Sequence, residues 1–230
     1  MRISHIMRTL TVLFGMSYLL SAAEPKQKVR VEHTERVDFP SGGLLRLKNS
    51  AGEVSVEGWD RPDVEITTIK SIYTSRDRDK ASRDLDKVRI AAKRQGDELV
   101  ITTDFPGLAS HLGAASLEYY IKAPMSARLA ANHGTGEVHV DSLTSDIHVT
   151  VLNGGITLRL PPEGQYDINA RSDLGDVTSD FPGRKKRRPW LLGYQYMRGK
   201  PEAHKLYLRA GYGDITILKI RKPPTTGPTR

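Results

Sequence analysis

Three histidines could do metal chemistry if the fold brought them together: His133, His139 and His148. His139 and His148 each lie between apolar neighbours, in Val138-His139-Val140 and Ile147-His148-Val149. On an extended strand both therefore point away from a core. No carboxylate completes a recognised ligand spacing around them, and exposed strand histidines are the plainer reading. Gly211-Tyr212-Gly213-Asp214 is similar to the Gly-Asp repeats that hold calcium in nonapeptide rolls, but the units here recur at about twice that period. No metal and no cofactor is expected.

Acids are scattered: Glu137, Asp141, Asp146, Asp167, Asp173 and Asp176. A carbohydrate-active enzyme of the β-helix kind needs two carboxylates facing one another across a groove. Asp173 and Asp176 could meet at one turn, where an Asp more often stabilises the turn itself. Gly134-Thr135-Gly136 lacks the third glycine, the following helix and the Lys-Ser/Thr of a phosphate loop. There is no Gly-x-Ser-x-Gly elbow. The absence of cysteine excludes thiolate nucleophiles, thiolate metal sites, disulfides and a lipidated N-terminal Cys. No catalytic set emerges, and an enzyme is not expected.

The stronger chemical signal is electrostatic. Arg184-Lys185-Lys186-Arg187-Arg188 is an unbroken cationic run, followed by Trp190, Tyr194 and Tyr196. The chain of 230 residues has 35 Lys and Arg against 27 Asp and Glu, a net charge of +8. Residues 1–23 contain Arg2 and Arg8 and no acid, so a chain cut after Ala23 would carry +6, nearly all of it in this run. A near-neutral body with one basic patch points to a local contact rather than a general attraction to polyanions. Cations beside Trp and Tyr suit an anionic envelope polymer or membrane surface. The alternative is a solvated loop whose aromatics tuck back onto the fold.

The first residues read as an address. Arg2 and Arg8 precede the apolar run Leu10–Leu20, and Ser21-Ala22-Ala23 supplies small residues before a cut, the layout of a secretory signal peptide. The run is too short to span a membrane. The chain is therefore expected to be exported, to the periplasm, the cell envelope or outside the cell, where nucleic acid is not an expected partner. Export without cysteine leaves packing and hydrogen bonding to hold the fold.

The elements that must position these residues are mostly short alternating strands, such as Val54-Ser55-Val56, Ile147–Val151, Ile156–Leu160 and Ile215-Thr216-Ile217. Val88-Arg89-Ile90 and Leu99-Val100-Ile101 flank a turn near Gly96 and read as a hairpin. Residues 75–87 read as a small helix capped by Ser75, with Ala81, Leu85 and Val88 as its apolar stripe. Glycine-led units recur at Gly52, Gly136, Gly155, Gly175 and Gly213, the last four separated by 19, 20 and 38 residues. A period near 20 with turn glycines suggests a solenoid, with the basic run as an insertion. An antiparallel meander or sandwich would use similar strands and turns.

The units NSAGEVSVEGW, HGTGEVHVDSL and AGYGDITI, with LEYYIKAPMSARLAANHGTGEVHV and YDINARSDLGDVTSDF, resemble the bacterial putative-adhesin domain family of unknown function, which is related to auto-transporter adhesin-head domains. The resemblance runs from about Leu44 to Ile220. It implies an all-β, right-handed parallel β-helix-like solenoid, an envelope location, and no catalytic motif. On this reading residues 1–23 are a signal peptide and 24–42 a lead-in strand. Residues 43–221 form the solenoid, with a helical insertion at 75–87 and a basic, aromatic loop insertion at 183–203, and 222–230 are a disordered tail. The expected role is a non-enzymatic binding or structural module. An envelope-stress sensor that binds another envelope protein is the alternative.

Overall fold

The computed structural model describes residues 27–74, 77–104, 115–188 and 192–220. The signal-peptide, Trp190 and tail expectations lie outside these residues. Alternating apolar and polar side chains put most of the chain into strands, because successive residues of an extended backbone face opposite sides. Five arches share one design, in which a strand of one sheet turns a glycine corner and continues in the other. They are β2 (Leu44–Ala51) into β3 (Glu53–Trp59), β8 (Arg128–Thr135) into β9 (Val138–Asp141), β10 (Ile147–Asn153) into β11 (Ile156–Leu160), β12 (Tyr166–Leu174) into β13 (Val177–Ser179), and β16 (His204–Tyr212) into β17 (Ile215–Lys219). The other strands are β1 (Gln27–Asp38), β4 (Asp63–Thr74), β5 (Arg89–Gln95), β6 (Glu98–Asp104), β7 (Ala115–Pro124), β14 (Arg184–Arg187) and β15 (Tyr194–Arg198). Sheet A runs β1-β4-β7-β3-β9-β11-β17-β13, and sheet B runs β14-β15-β12-β16-β10-β8-β2-β6-β5.

The arches stack in register, so each inner position forms a row. Val54, Val138, Ile156, Ile215 and Val177 make one buried row of sheet A. Leu47, Ala131, Val149, Leu208 and Ala170 make one of sheet B. Both belong to a single core. Each large side chain buried there contributes roughly 1.5–3 kcal/mol relative to exposure, which is how a chain without disulfides holds together.

The corners also stack. Gly52, Gly136, Gly154, Gly213 and Gly175 all have positive φ. A Cβ on Gly136 would sit 1.9 Å from the Gly52 carbonyl oxygen, and one on Gly154 would sit 2.1 Å from that of Gly136. The column therefore needs glycine twice over, for the left-handed backbone and for the close approach. Its amides bridge neighbouring arches, as Gly136 N–H donates to the Asn153 carbonyl at 2.9 Å. In the third unit the left-handed residue is Gly154. Gly155 follows it, its amide held by Glu137 Oε1 at 3.0 Å.

The expected right-handed parallel β-helix-like solenoid is not what forms. The two sheets are mixed. β1, β4, β5, β14 and β15 join by antiparallel pairing, while the arches pair in parallel. Nor do the arches follow chain order. β16–β17 lies between β10–β11 and β12–β13, and β2–β3 lies between β6–β7 and β8–β9. The glycine period reports identical corners, and identical corners stack in any order. The expected basic loop is also different: Arg184–Arg187 is strand β14, paired antiparallel with β15 at the edge of sheet B.

The two ends of the core close differently. At one, α1 (Arg78–Asp86) lies against β1 and β4 with Ala81 and Leu85 buried. Its cap is Asp77, whose carboxylate accepts from Asp79 N–H at 2.9 Å, whereas Ser75 lies outside the described residues. At the other end Phe181 meets Tyr166 edge to face at 5.4 Å, and the Tyr196 hydroxyl donates to the Phe181 carbonyl.

Candidate functional site: the outer face of sheet B

Period-two alternation in register builds the outer face of sheet B row by row. One row across the strands is Arg46, Ala130, His148, Tyr207, Asn169, Met197 and Arg184. The next is Lys48, Asn132, Thr150, Arg209, Arg171, Gln195 and Lys186. Six cations thus share a face with uncharged side chains between them in these two rows, and two of the six are already paired, Arg46 with Glu98 and Arg171 with Asp173. Only Arg184 and Lys186 come from the basic run. Lys48, Arg171 and Arg209 arrive from strands far apart in sequence, and only the strand order reveals them.

The same alternation divides the run. Arg184 and Lys186 pair with Met197 and Gln195 on the outer face, whereas Lys185 and Arg187 pair with Tyr196 and Tyr194 on the core side of the edge. Lys185 Nζ reaches Asp176 Oδ1 at 2.5 Å and lies 4.7 Å from the Tyr194 ring centre. Its ammonium holds Asp176 below the usual carboxylate range. Arg188 is tied to Asp173. Among the described residues Arg184, Lys186 and Arg187 make no ion pair. Tyr194 is half-buried, and Tyr196 faces the core instead of the surface, so it is removed from the expected contact set.

Across the middle of sheet B, over β12, β16, β10 and β8, lies an open groove of about 590 Å³, lined among others by Asn132, Gly134, Thr150, Arg171, Tyr207 and Arg209. Arg209 is anchored rather than free: its guanidinium lies 3.7 Å from the Tyr207 ring centre, and Nη1 donates to the Asn169 carbonyl at 2.9 Å. His148 also meets Tyr207, edge to face, with ring centres 4.5 Å apart. Its pKa is lowered first by burial and then by the charges of Arg209 and Arg46, so the ring is neutral near pH 7. Leu152, which also lines the groove, is 64% exposed, so an apolar side chain lies among the cations there.

The other chemical candidates separate in space. His133 is buried, with Nε2 2.8 Å from the Gly52 carbonyl, and burial lowers its pKa. His139 lies outside sheet A, 3.8 Å from Glu53, and His148 lies outside sheet B. Among the described residues no three His, Cys, Asp or Glu side chains cluster as a metal site. The acids act as structural acceptors. Asp141 accepts from Arg159 at 3.1 Å, Asp180 from Lys219 N–H at 3.1 Å, and Asp146 from Lys205 N–H at 2.8 Å. Asp173 and Asp176 turn to different partners, Arg171 and Lys185.

No family model matches the chain, and no curated protein matches it. Among solved structures it is similar to a putative cell adhesion protein from Clostridium sporogenes, with a TM-score of 0.54 and 17% identity over 83% of this chain and all of that one. This likeness establishes a shared fold. A putative adhesin from Bacteroides fragilis matches 83% of this chain and 97% of its own at 11% identity, with a TM-score of 0.31.

Proposed function

We propose that this chain is an exported, non-enzymatic, adhesin-like binding module of the bacterial envelope that docks on an anionic surface through the outer face of sheet B. The observation that carries the reading is the register that sets Lys48, Arg209, Arg171 and Lys186 in one row and Arg46 and Arg184 in the next. An extended flat face of cations suits a repeating polyanion or a layer of anionic head groups, because many weak contacts act together there. The open groove and the structural use of the nearby acids favour binding over chemistry. The solved structure sharing the fold is a putative cell adhesion protein, which is compatible with this role, but the charge pattern is what argues for it.

The test is co-sedimentation with vesicles of phosphatidylglycerol in phosphatidylcholine, and with a soluble anionic polysaccharide, at rising salt. Binding that weakens with salt and is lost in Arg184→Gln/Lys186→Gln/Lys48→Gln supports the proposal. Preference for one probe names the surface. Equal binding by wild type and triple variant sinks the proposal.

A further inference from the structure

The edge of sheet A formed by β1 carries a charge pattern complementary to itself. We infer that two copies of this chain pair through β1, antiparallel, with Thr34 opposite Thr34 of the second copy on the two-fold axis. In this register Arg30 faces Asp38, Glu32 faces Arg36, Val31 faces Val37, and His33 faces Glu35, each pair occurring twice by symmetry. The two sheets A would join into one.

Several observations support this register. β1 is the terminal strand of sheet A and pairs only with β4, so its other edge has unused backbone groups among the described residues. It is 12 residues long, far more than the 4 of β14. Residues at positions such as 30, 32, 34, 36 and 38 are exposed and lie on the outer face, while Val29 is buried and Val31 and Val37 pack against the core. Opposed residues in an antiparallel pair must point to the same face, so only registers pairing even with even positions preserve the pleat. Centring on His33 sets Arg30 against Arg36 and Val31 against Glu35. Centring on Glu35 sets Glu32 against Asp38. Centring on Thr34 leaves no like-charge pair.

The charges also fit their surroundings. Arg36 already reaches Glu65 at 2.5 Å on β4, so Glu32 of the second copy completes a bridge with a carboxylate on each side of the guanidinium. The ladder stops at Asp38, whose carbonyl accepts from Arg94 at 3.1 Å. α1 lies against β1 and β4, with Ala81 and Leu85 in the same cluster as Val29. Charged edges ordinarily keep sheets apart. They do so when a second copy meets like charge, and here it meets opposite charge. The nine paired residues of each strand would form about eight to ten backbone hydrogen bonds.

Sedimentation velocity over a wide concentration range, with two sets of variants, tests the inference. Wild type should pass from monomer to dimer. Arg30→Asp places two Asp–Asp pairs in the ladder and should weaken association about tenfold or more, and Arg30→Asp/Asp38→Arg should restore it. Because the chain has no cysteine, Thr34→Cys supplies a second readout. Opposed strand positions lie within disulfide reach, so mild oxidation should give a covalent dimer, whereas Tyr212→Cys, exposed at a distant site, should not. A monomer at every concentration overturns the inference. So does a dimer that ignores Arg30→Asp and leaves Thr34→Cys uncross-linked.

Discussion

At the edge of sheet A, β1 presents Lys28, Arg30, Glu32, Arg36 and Asp38 on its outer face, both signs along one strand. At the edge of sheet B, β14 presents Arg184, Lys185, Lys186 and Arg187, all of one sign. Among the described residues both strands leave backbone groups unpaired, and both meet that liability with charge. The uniform edge would repel a second copy and, on the proposed function, draw an anionic surface. The mixed edge offers a second copy its own complement. The sign pattern along an edge, more than the amount of charge, therefore decides what kind of partner it admits. A dimer through β1 would place two sets of β14 cations on one particle, and two weak contacts on one surface hold far more strongly than one.

The largest effect should come from what both ends share. Gly136→Ala puts a Cβ 1.9 Å from the Gly52 carbonyl at a φ of 125°, and should cost about 4 kcal/mol or more, or prevent folding. Gly42→Ala has a positive φ but open space, and should cost about 1 kcal/mol. Denaturant unfolding of both checks whether the column or the backbone angle alone dominates. The ends can next be loosened one at a time. Tyr196→Ala and Leu85→Ala each empty a buried site and should cost about 3 kcal/mol. Hydrogen exchange should show β14, β15 and β13 losing protection in the first, and β1 and α1 in the second. Equal loss at both ends in either variant would mean that the plugs are not independent.

Arg184→Gln/Lys186→Gln should leave stability within about 0.5 kcal/mol, since neither residue has an ion-pair partner among the described residues. It should lower vesicle binding several-fold and flatten its salt dependence, while Arg30→Asp should weaken binding only through the lost second contact of the dimer and leave the salt dependence of the single contact unchanged. The smallest effect belongs to His133, at neither end. Burial holds its folded pKa below 6.5, so the unfolded chain takes up the proton first. Its contribution is complete above the unfolded value and declines as pH falls through it. Melting temperature should therefore drop from about pH 7 to 5, and the drop should be shallower in His133→Gln.

Much of the local structure was legible in the sequence. Alternation located strands such as Ile147–Val151 and Ile156–Leu160, and the Gly96 turn located the β5–β6 hairpin. Alternation is a property of neighbouring residues, so sequence carries it directly. The order of the arches is a property of distant ones, and five similar corners give no sequence cue to which lies beside which. The same gap hid the site. Lys48, Arg171 and Arg209 become neighbours only through that order. The basic run read as one cluster because a loop has no sidedness, whereas strand β14 has two sides and divides it. Tyr196 looked like a surface aromatic because nothing local announces that Phe181 waits beneath it.

The placement of β16–β17 has a consequence in time. Of the five arches this one is made last, yet it lies between β10–β11 and β12–β13, which are made before it. Until it arrives, the earlier of these arches has no neighbour on that side, and β12 lacks its parallel partner and has only the antiparallel β15 beside it. The stack cannot grow coil by coil behind the emerging N-terminus. It must wait for residues 204–219 and then close around them, which delays burial and lengthens the interval in which strand edges are open to misassociation.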